Sequence, residues 1–536
     1  MSVPYTHIGV HDNAAQQQLS SALQALKTEF KLPGEFPAEV LAELERSIAA
    51  HQLPDLDLTA LPFLTIDPPS SLDLDQAMHL ERTDGGYLVR YAIADVPAFV
   101  PPGGALDAET RLRGQTYYTP DGRVPLHPAP MSEDAASLFA NQDRAAYVWD
   151  IGLDADGAHT TTLVRRARIR SIAKLGYEQA QKLLDDGAAP TAPVGPGAAA
   201  EDDVRAEDDV PAEDDAATRL SHPTGAVLDQ VRATLELLRE IGLLRIERER
   251  ERGGASLNVP QQEVEFVDGR YRLVFRPALP IEDWNAQISL LTGMAAATLM
   301  LKGKVGILRT MPEPDAGSIA HYRRQSVALG KPWPADMPYG EFLRTLDTSD
   351  PKQLALMHAA RSLFRGAGYT PFDGEVPAKT IQAAVAHEYA HTTAPLRRLV
   401  DRFVLVICAA LCAGEEVPQW ARDALPSLPG IMMASDQLAN KVDRAAVDTV
   451  EAAILSSYVG REFDAVVLSG PRPNGNGNGN GNGNGHKADA GPVSSIQIRE
   501  PAVDADCQGA LEPGTTVRVK LLQADIATRT VLFTTL

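Results

Sequence analysis

Residues 65–77 read TIDPPSSLDLDQA. The stretch sets Asp67, Asp73 and Asp75 within nine residues, directly after the apolar run FLTI at 63–66. Like charges this close raise one another's pKa and work against folding, so a folded chain needs a reason to keep them together. Asp73 and Asp75 are two apart, so in an extended chain both carboxylates leave on the same side while Leu72 and Leu74 turn toward a core. Pro68-Pro69 forces a turn that can bring Asp67 back alongside them. Hard divalent cations such as Mg²⁺ take ligands of this kind, one or two carboxylates completed by water and substrate phosphate. A calcium loop of the EF-hand type fits poorly, because the stretch has no turn glycine and no late glutamate. On spacing alone, a metal site and an exposed acidic loop remain equally open.

Before this stretch the chain reads as helix. AAQQQLSSALQALKTEF carries Leu19, Leu23 and Leu26 at helical spacing, Pro33-Gly34 ends it, and Pro37 starts a second segment at 37–51. The spacing predicts a small helical, helix-turn-helix-like unit over 1–60. After it, QAMHLER and YLVRYAIAD have strand texture, with Asp84-Gly85-Gly86 as the turn between them. A helix is expected at 104–114, antiparallel strands at YVWDIGL and TTTLVRRARIRSI, and helices at 174–184 and 225–250. The hairpin VEFVDGRYRLVF precedes further helices at 284–301, 316–330, 352–366 and 395–414. REFDAVVLSG, SSIQIREP, TTVRVKLLQAD and RTVLFTTL predict a small antiparallel barrel at the C-terminus. The expected class is α+β: a mixed β core surrounded by helices over 61–455 and a barrel over 456–536.

Two segments interrupt this pattern. The stretch at about 188–222 contains EDDVRAEDDVPAEDD, and 471–492 contains repeated Gly-Asn. Neither composition can bury enough apolar surface to order itself, so both are expected to be disordered surface insertions. The net charge of −21 argues against nucleic acid as a partner, since phosphate binding is driven by Lys and Arg. The acidic repeat alone contributes −8, however, so total charge is a poor guide to any local groove. Three cysteines, and a first stretch MSVPYTHIGVHDN without the blocks of an export signal, predict a cytoplasmic chain. The apolar run at 403–413 is too short to span a bilayer.

TIDPPSSLDLDQA resembles the signature of the RNase II/RNase R family of 3′-to-5′ exoribonucleases, whose catalytic domain is the RNB domain. The resemblance continues in order through YAIADVPAFV, RGQTYYTPDGRVPLHPAPMSEDAASL, GILRTMPEPD and YAHTTAPLRRLVDR, covering roughly 60–415. The final strands resemble the OB-fold RNA-binding domain that closes such chains. This implies Mg²⁺, or Mn²⁺ in its place, with Asp67, Asp73, Asp75 and Gln76 as the metal-site residues. It implies Asp75 and Arg397 as the catalytic pair, the arginine offsetting charge at the scissile phosphate. It implies Tyr118 as the stacking platform for the terminal base, and Arg397 and Arg398 as RNA contacts. Arg398 can equally be a structural partner of Asp401, and Asp95 reads as a loop-fixing residue.

The sequence also departs from the family pattern. Gln76 stands where the commonest motif has a fourth aspartate, and a neutral carbonyl oxygen should weaken metal affinity. Ala286 and Gln287 stand where many relatives carry two glutamates. The sixty helical residues at the start are too few for the two cold-shock domains usual in the family. This implies a more open approach to the site, and tolerance of duplex RNA with a 3′ overhang beside single-stranded RNA. The expected activity is that of a monomeric Mg²⁺-dependent 3′-to-5′ exoribonuclease releasing nucleoside 5′-monophosphates, with no membrane partner. The alternative is a catalytically weak RNB-type RNA-binding factor, which Gln76 would permit.

Overall fold

A computed structural model of the chain describes residues 13–187, 220–255, 261–267, 270–276, 278–472 and 492–536. The EDDV repeat and the Gly-Asn repeat, both read above as insertions, lie outside these residues.

The aspartate stretch is part of a closed five-stranded barrel. Its strands are β1 (Phe63–Ile66), β2 (Gln76–Thr83) and β3 (Gly86–Ala94), then β6 (Asp143–Asp154) and β7 (His159–Leu175). Two short strands, β4 (Tyr117–Thr119) and β5 (Gly122–Val124), form a separate hairpin between β3 and β6. The barrel closes because β1 pairs antiparallel with β2 and parallel with β7, Ile66 lying opposite Leu175. The β2–β3 turn has two residues, and Gly86, at φ +152°, approaches the Leu153 carbonyl too closely for any Cβ.

Successive side chains of these strands enter two different cores, which is why runs such as YAIA look apolar throughout. Tyr91, Ile93 and Trp149 pack with the helices on one side. Ala92, Ala94 and Val148 pack with Val40 and Leu44 on the other. The helices of the first side are α4 (Tyr177–Gly187), α5 (Gly225–Arg252), α6 (Pro280–Gly303) and α10 (Leu399–Ala413). Helix α6 is apolar over most of its surface, as a largely buried helix must be, with Asp283, Ala286 and Thr298 among the residues left exposed.

The two N-terminal helices do not build a core of their own. Helix α1 (Asn13–Glu29) buries Leu19, Leu23 and Leu26 in the cluster of the C-terminal barrel, and Glu29 takes both guanidinium nitrogens of Arg529 at 2.7 Å. Helix α2 (Ala38–Ala50) instead joins the alanine-rich side of the first barrel, against α3 (Ala105–Arg113). The stretch over 1–60, read above as one helical unit, is therefore shared between two cores.

A hairpin of β8 (Gln261–Val267) and β9 (Arg270–Arg276) and a pair formed by β10 (Val305–Thr310) and β11 (Gly368–Asp373) flank the central helices. Between β10 and β11 a satellite of α7 (Ala316–Ala328), α8 (Tyr339–Arg344) and α9 (Pro351–Ala360) packs around Tyr322, Trp333 and Phe342. A short pair, β12 (Ile381–Gln382) and β13 (His387–Glu388), follows. After α10, helices α11 (Gln419–Ala424) and α12 (Leu428–Leu455) lead to the last barrel. Its strands β14 (Glu462–Arg472), β15 (Val493–Ile498), β16 (Val503–Gln508), β17 (Thr516–Asp525) and β18 (Thr530–Thr535) close in the order β14-β15-β16-β18-β17, as expected for an OB-fold. Among the described residues no helix is long and apolar enough to cross a membrane.

Two of the helix boundaries that differ from the sequence expectation matter for the site. Lys174 and Leu175 are the end of β7, because they pair with Thr65 and Ile66 of β1. Helix α10 starts at Leu399, because a residue before proline is pushed out of the helical region and Ala394 precedes Pro395. Arg397 and Arg398 therefore sit in a turn ahead of the helix.

One buried ion pair locks α10 to α3. Asp107 and Arg402 are both nearly inaccessible, and the Arg402 guanidinium donates to the Asp107 carboxylate. Asp107→Ala leaves the arginine buried without its partner, which should cost about 3–5 kcal/mol. A denaturant titration should show this as an early unfolding transition relative to the parent chain.

Candidate active site

The aspartate stretch leaves the barrel at the end of β1. The Asp67 N–H still donates to the Leu175 carbonyl, at 3.0 Å, so its backbone continues the strand pairing. The prolines then turn the chain, and Ser71 N–H closes the turn on the Pro68 carbonyl at 3.0 Å. Lys174, almost fully buried, reaches into this turn. Its Nζ donates to the carbonyls of Pro69 at 3.1 Å and Ser71 at 2.7 Å.

The second half of the stretch is extended and held on both edges. The Ser137 hydroxyl donates to the Leu72 carbonyl at 2.6 Å and accepts from Leu74 N–H at 3.0 Å. Leu138 N–H takes the Leu74 carbonyl, and Ala94 N–H takes that of Asp75. Leu74 is fully buried, and Asp75 is 4% exposed.

Each aspartate finds a different partner. Asp73 Oδ1 accepts from Arg123 Nη1 of β5 at 2.6 Å, and Arg123 also holds Glu133 at 2.7 Å. The Tyr118 hydroxyl of β4 lies 3.5 Å from Asp73 Oδ2, and its side chain is half exposed. Asp75 Oδ1 accepts from Leu396 N–H at 2.7 Å, and its Oδ2 faces Arg397 Nε at 3.8 Å. Asp67 receives no side-chain hydrogen bond among the described residues; the charges of Arg397 and Lys174 act on it from nearby. Burial pushes the Asp67 carboxyl up to about 7, the charge of Asp73 adds to this, and the two cations oppose it. Burial also holds the Asp75 carboxyl well above the carboxylate range, despite Arg397 and the Leu396 N–H.

The arginines lie on a turn fixed from several sides. Ala394 N–H and the Arg398 guanidinium both bind Asp401, which is fully buried. His127, kept neutral by burial that takes it down to about 3, contacts the Pro395 carbonyl at 3.2 Å. The Arg397 carbonyl accepts from Thr116 N–H at 3.0 Å. The Arg397 side chain is left about half exposed, facing Asp75. Arg398 spends its guanidinium on Asp401. Gln76 donates its amide to the Thr393 carbonyl and accepts from the Tyr91 hydroxyl at 3.3 Å.

The structure thus brings Asp67, Asp73, Asp75, Gln76, Tyr118 and Arg397 to one place. Sequence reading passed over Lys174, Arg123, Ser137 and His127, which hold these residues in position. Ser137-Leu138 had a signal, since that dipeptide closes the quoted block RGQTYYTPDGRVPLHPAPMSEDAASL. Lys174 had only the oddity of a lysine between apolar residues. Asp95 fixes a loop as expected, capping a short turn through Ala98 N–H and pairing with Arg166.

Among the described residues no group of three or more His, Cys, Asp or Glu converges as a ready metal cage. Two carboxylates, the half-buried Asp67 and the buried Asp75, remain only partly compensated by positive charge. That matches a hard divalent cation that uses one or two carboxylates and takes its other ligands from water and phosphate.

The pKa of Asp67 carries a stability consequence. Its folded value of about 7 lies above the unfolded value near 3.9, so between these the native state holds a proton that the unfolded state has lost. Its contribution is neutral below about pH 4, stability falls as pH rises from about 4 to about 7, and the full destabilisation is present above that. In chelator-treated protein, Asp67→Asn should raise the thermal midpoint at pH 8 and leave it unchanged at pH 4.

Residues 56–413 match the RNB domain family, and residues 461–536 match the RNase II-type exonuclease C-terminal S1 domain. Exoribonuclease 2 of Proteus mirabilis (strain HI4320) is 37% identical over 143 residues, which are 26% of this chain and 22% of the relative. The aligned part thus spans about a fifth of that curated relative's length. Among solved structures, the apo form of Mycoplasma genitalium RNase R superposes with a TM-score of 0.77 at 17% identity, covering 97% of this chain and 78% of the other. The same RNase R in complex with double-stranded RNA gives 0.75 at 18% identity, covering 97% and 83%.

Proposed function

The chain belongs to the RNB family, and on that premise we propose that it is a divalent-metal-dependent 3′-to-5′ exoribonuclease releasing nucleoside 5′-monophosphates. The observation that carries this reading is the meeting of Asp67 and Asp75 with the half-exposed Arg397 guanidinium. A cation held by the half-buried Asp67 and the buried Asp75 would offset phosphodiester charge on one side, and the half-exposed Arg397 head suits the other.

In this reading each residue has a distinct task. Asp67 and Asp75 hold the cation, Mg²⁺ or Mn²⁺. A cation there would supply Lewis-acid chemistry, offsetting phosphate charge and making water more acidic. Arg397 presents a planar fork to two phosphate oxygens and offsets the charge that develops there. Tyr118 offers a ring face to the terminal base, and the Asp73–Arg123 pair fixes the hairpin that carries it. Arg398 and Asp401 set the angle of the turn without touching the substrate. The substrate is single-stranded RNA or duplex RNA with a 3′ overhang, acted on by a cytoplasmic monomer. The free state of Cys408, Cys412 and Cys507 supports a reducing compartment.

The test is degradation of 5′-labelled RNA with and without Mg²⁺. Stepwise shortening that stops on chelation is expected; retention of RNA without cleavage would favour the RNA-binding factor. Asp75→Asn should lower kcat by about 10²–10³-fold or more while RNA affinity changes little. Near-normal turnover in that variant would remove Asp75 from the chemistry. Tyr118→Ala should weaken binding of single-stranded RNA by about 1–3 kcal/mol, read by fluorescence anisotropy.

A further inference from the structure

Gln76 opens β2 directly after Asp75, and its side-chain amide is engaged at both ends. Nε2 donates to the Thr393 carbonyl, and Oε1 accepts from the Tyr91 hydroxyl at 3.3 Å. That hydroxyl lies 3.0 Å from Ser289 Oγ on α6. The relay can run in one direction, Ser289 to Tyr91 to Gln76 to Thr393, with one donor for each acceptor. Its inner members are buried, Tyr91 being 1% and Thr393 4% exposed, while Gln76 and Ser289 are half-buried.

Thr393 begins the turn that ends in Arg397 and Arg398. The other fixings of this turn act on Ala394, Pro395, Leu396 and the Arg397 carbonyl. Gln76 is the side chain that holds its first residue. Only a donor satisfies the Thr393 oxygen from this side, because a carboxylate placed there would repel it. With its nitrogen spent on the Thr393 carbonyl and one lone pair of its oxygen taken by the Tyr91 hydroxyl, the amide has its orientation set by these two partners and not by a cation.

We propose that Gln76 is a positioning residue for Arg397, a strut between the aspartate strand and the arginine turn, and not a ligand of the divalent cation. The proposal rests on the exoribonuclease reading and replaces the sequence expectation that Gln76 lends its carbonyl to the metal. It also explains how an amide is accommodated beside three aspartates. The amide joins two segments that a carboxylate at 76 could join only through a cation.

The test uses the full chain and two variants, with calorimetric titration of Mn²⁺ beside the kinetics. Gln76→Glu keeps the length, loses the donor and adds an anion. As a metal ligand, the added anion should tighten Mn²⁺ binding tenfold or more and preserve or raise kcat. As a strut, the variant should leave Mn²⁺ affinity within about threefold and lower kcat by about 10- to 100-fold at nearly constant KM. Gln76→Asn keeps an uncharged amide but falls short of Thr393, and should show the same kcat loss. In an Arg397→Ala background either substitution should add less than about a threefold further loss, since both act through one group. Tighter Mn²⁺ binding with retained turnover, or losses that multiply with Arg397→Ala, overturns the proposal. A parent chain that shortens no RNA overturns the exoribonuclease reading itself, and this is read before any variant is made.

Discussion

The carboxylate of Asp75 is the joint on which the site depends. One oxygen takes the Leu396 N–H and the other faces Arg397, so a single side chain ties the mouth of the first barrel to a turn 321 positions away. Taking a carboxylate out of water is expensive unless hydrogen bonds and opposite charge offset it. Here one backbone donor and one half-exposed arginine offset it only in part, and the carboxyl stays raised. The geometry therefore keeps a carboxyl whose charge would be stabilised by a cation bound beside it. The same bond forces α10, the Asp107–Arg402 pair and α3 into register with the barrel, since the turn continues directly into α10.

That joint also explains what could and could not be read in advance. The strands β1 to β3 and the last barrel were legible because alternation and turn residues are local signals. The alternation had a second meaning that was not local: both faces of β3 are buried, Tyr91 against the helices and Ala92 against α2. The two N-terminal helices were visible from their leucine spacing, but not their destinations, because a leucine stripe does not name its partner. Lys174 illustrates the limit for the site. Its role follows from the parallel pairing of β7 with β1, which carries its side chain to the proline turn. No spacing rule links residue 174 to residue 69.

Charge shows the same division between total and local. The chain is acidic overall, yet β7 carries Arg166, Arg168 and Arg170 on alternate positions of one face. A basic row of this kind could pass for a nucleic-acid track. Each member is instead paired, with Asp95, Asp57 and Asp143 in turn. Arg398 likewise serves Asp401. The arginine at the site that keeps a half-exposed head is Arg397, and its distinction comes from what surrounds it more than from its position beside another arginine.

Three aspartates within nine residues would repel if they shared one environment, and the fold gives each its own. Asp73 pairs with Arg123 from β5, Asp67 has Lys174 of β7 nearby, and Asp75 meets Leu396 and Arg397 ahead of α10. The partners come from three elements distributed over nearly the whole first match. The stretch cannot be stable as a local motif, since none of its counter-charges is local. It becomes stable only once β5, β7 and the arginine turn have closed around it. The elements that make the acidic cluster tolerable are therefore the same ones that aim Tyr118 and Arg397 at it. In this chain, assembling the fold and assembling the site are one event.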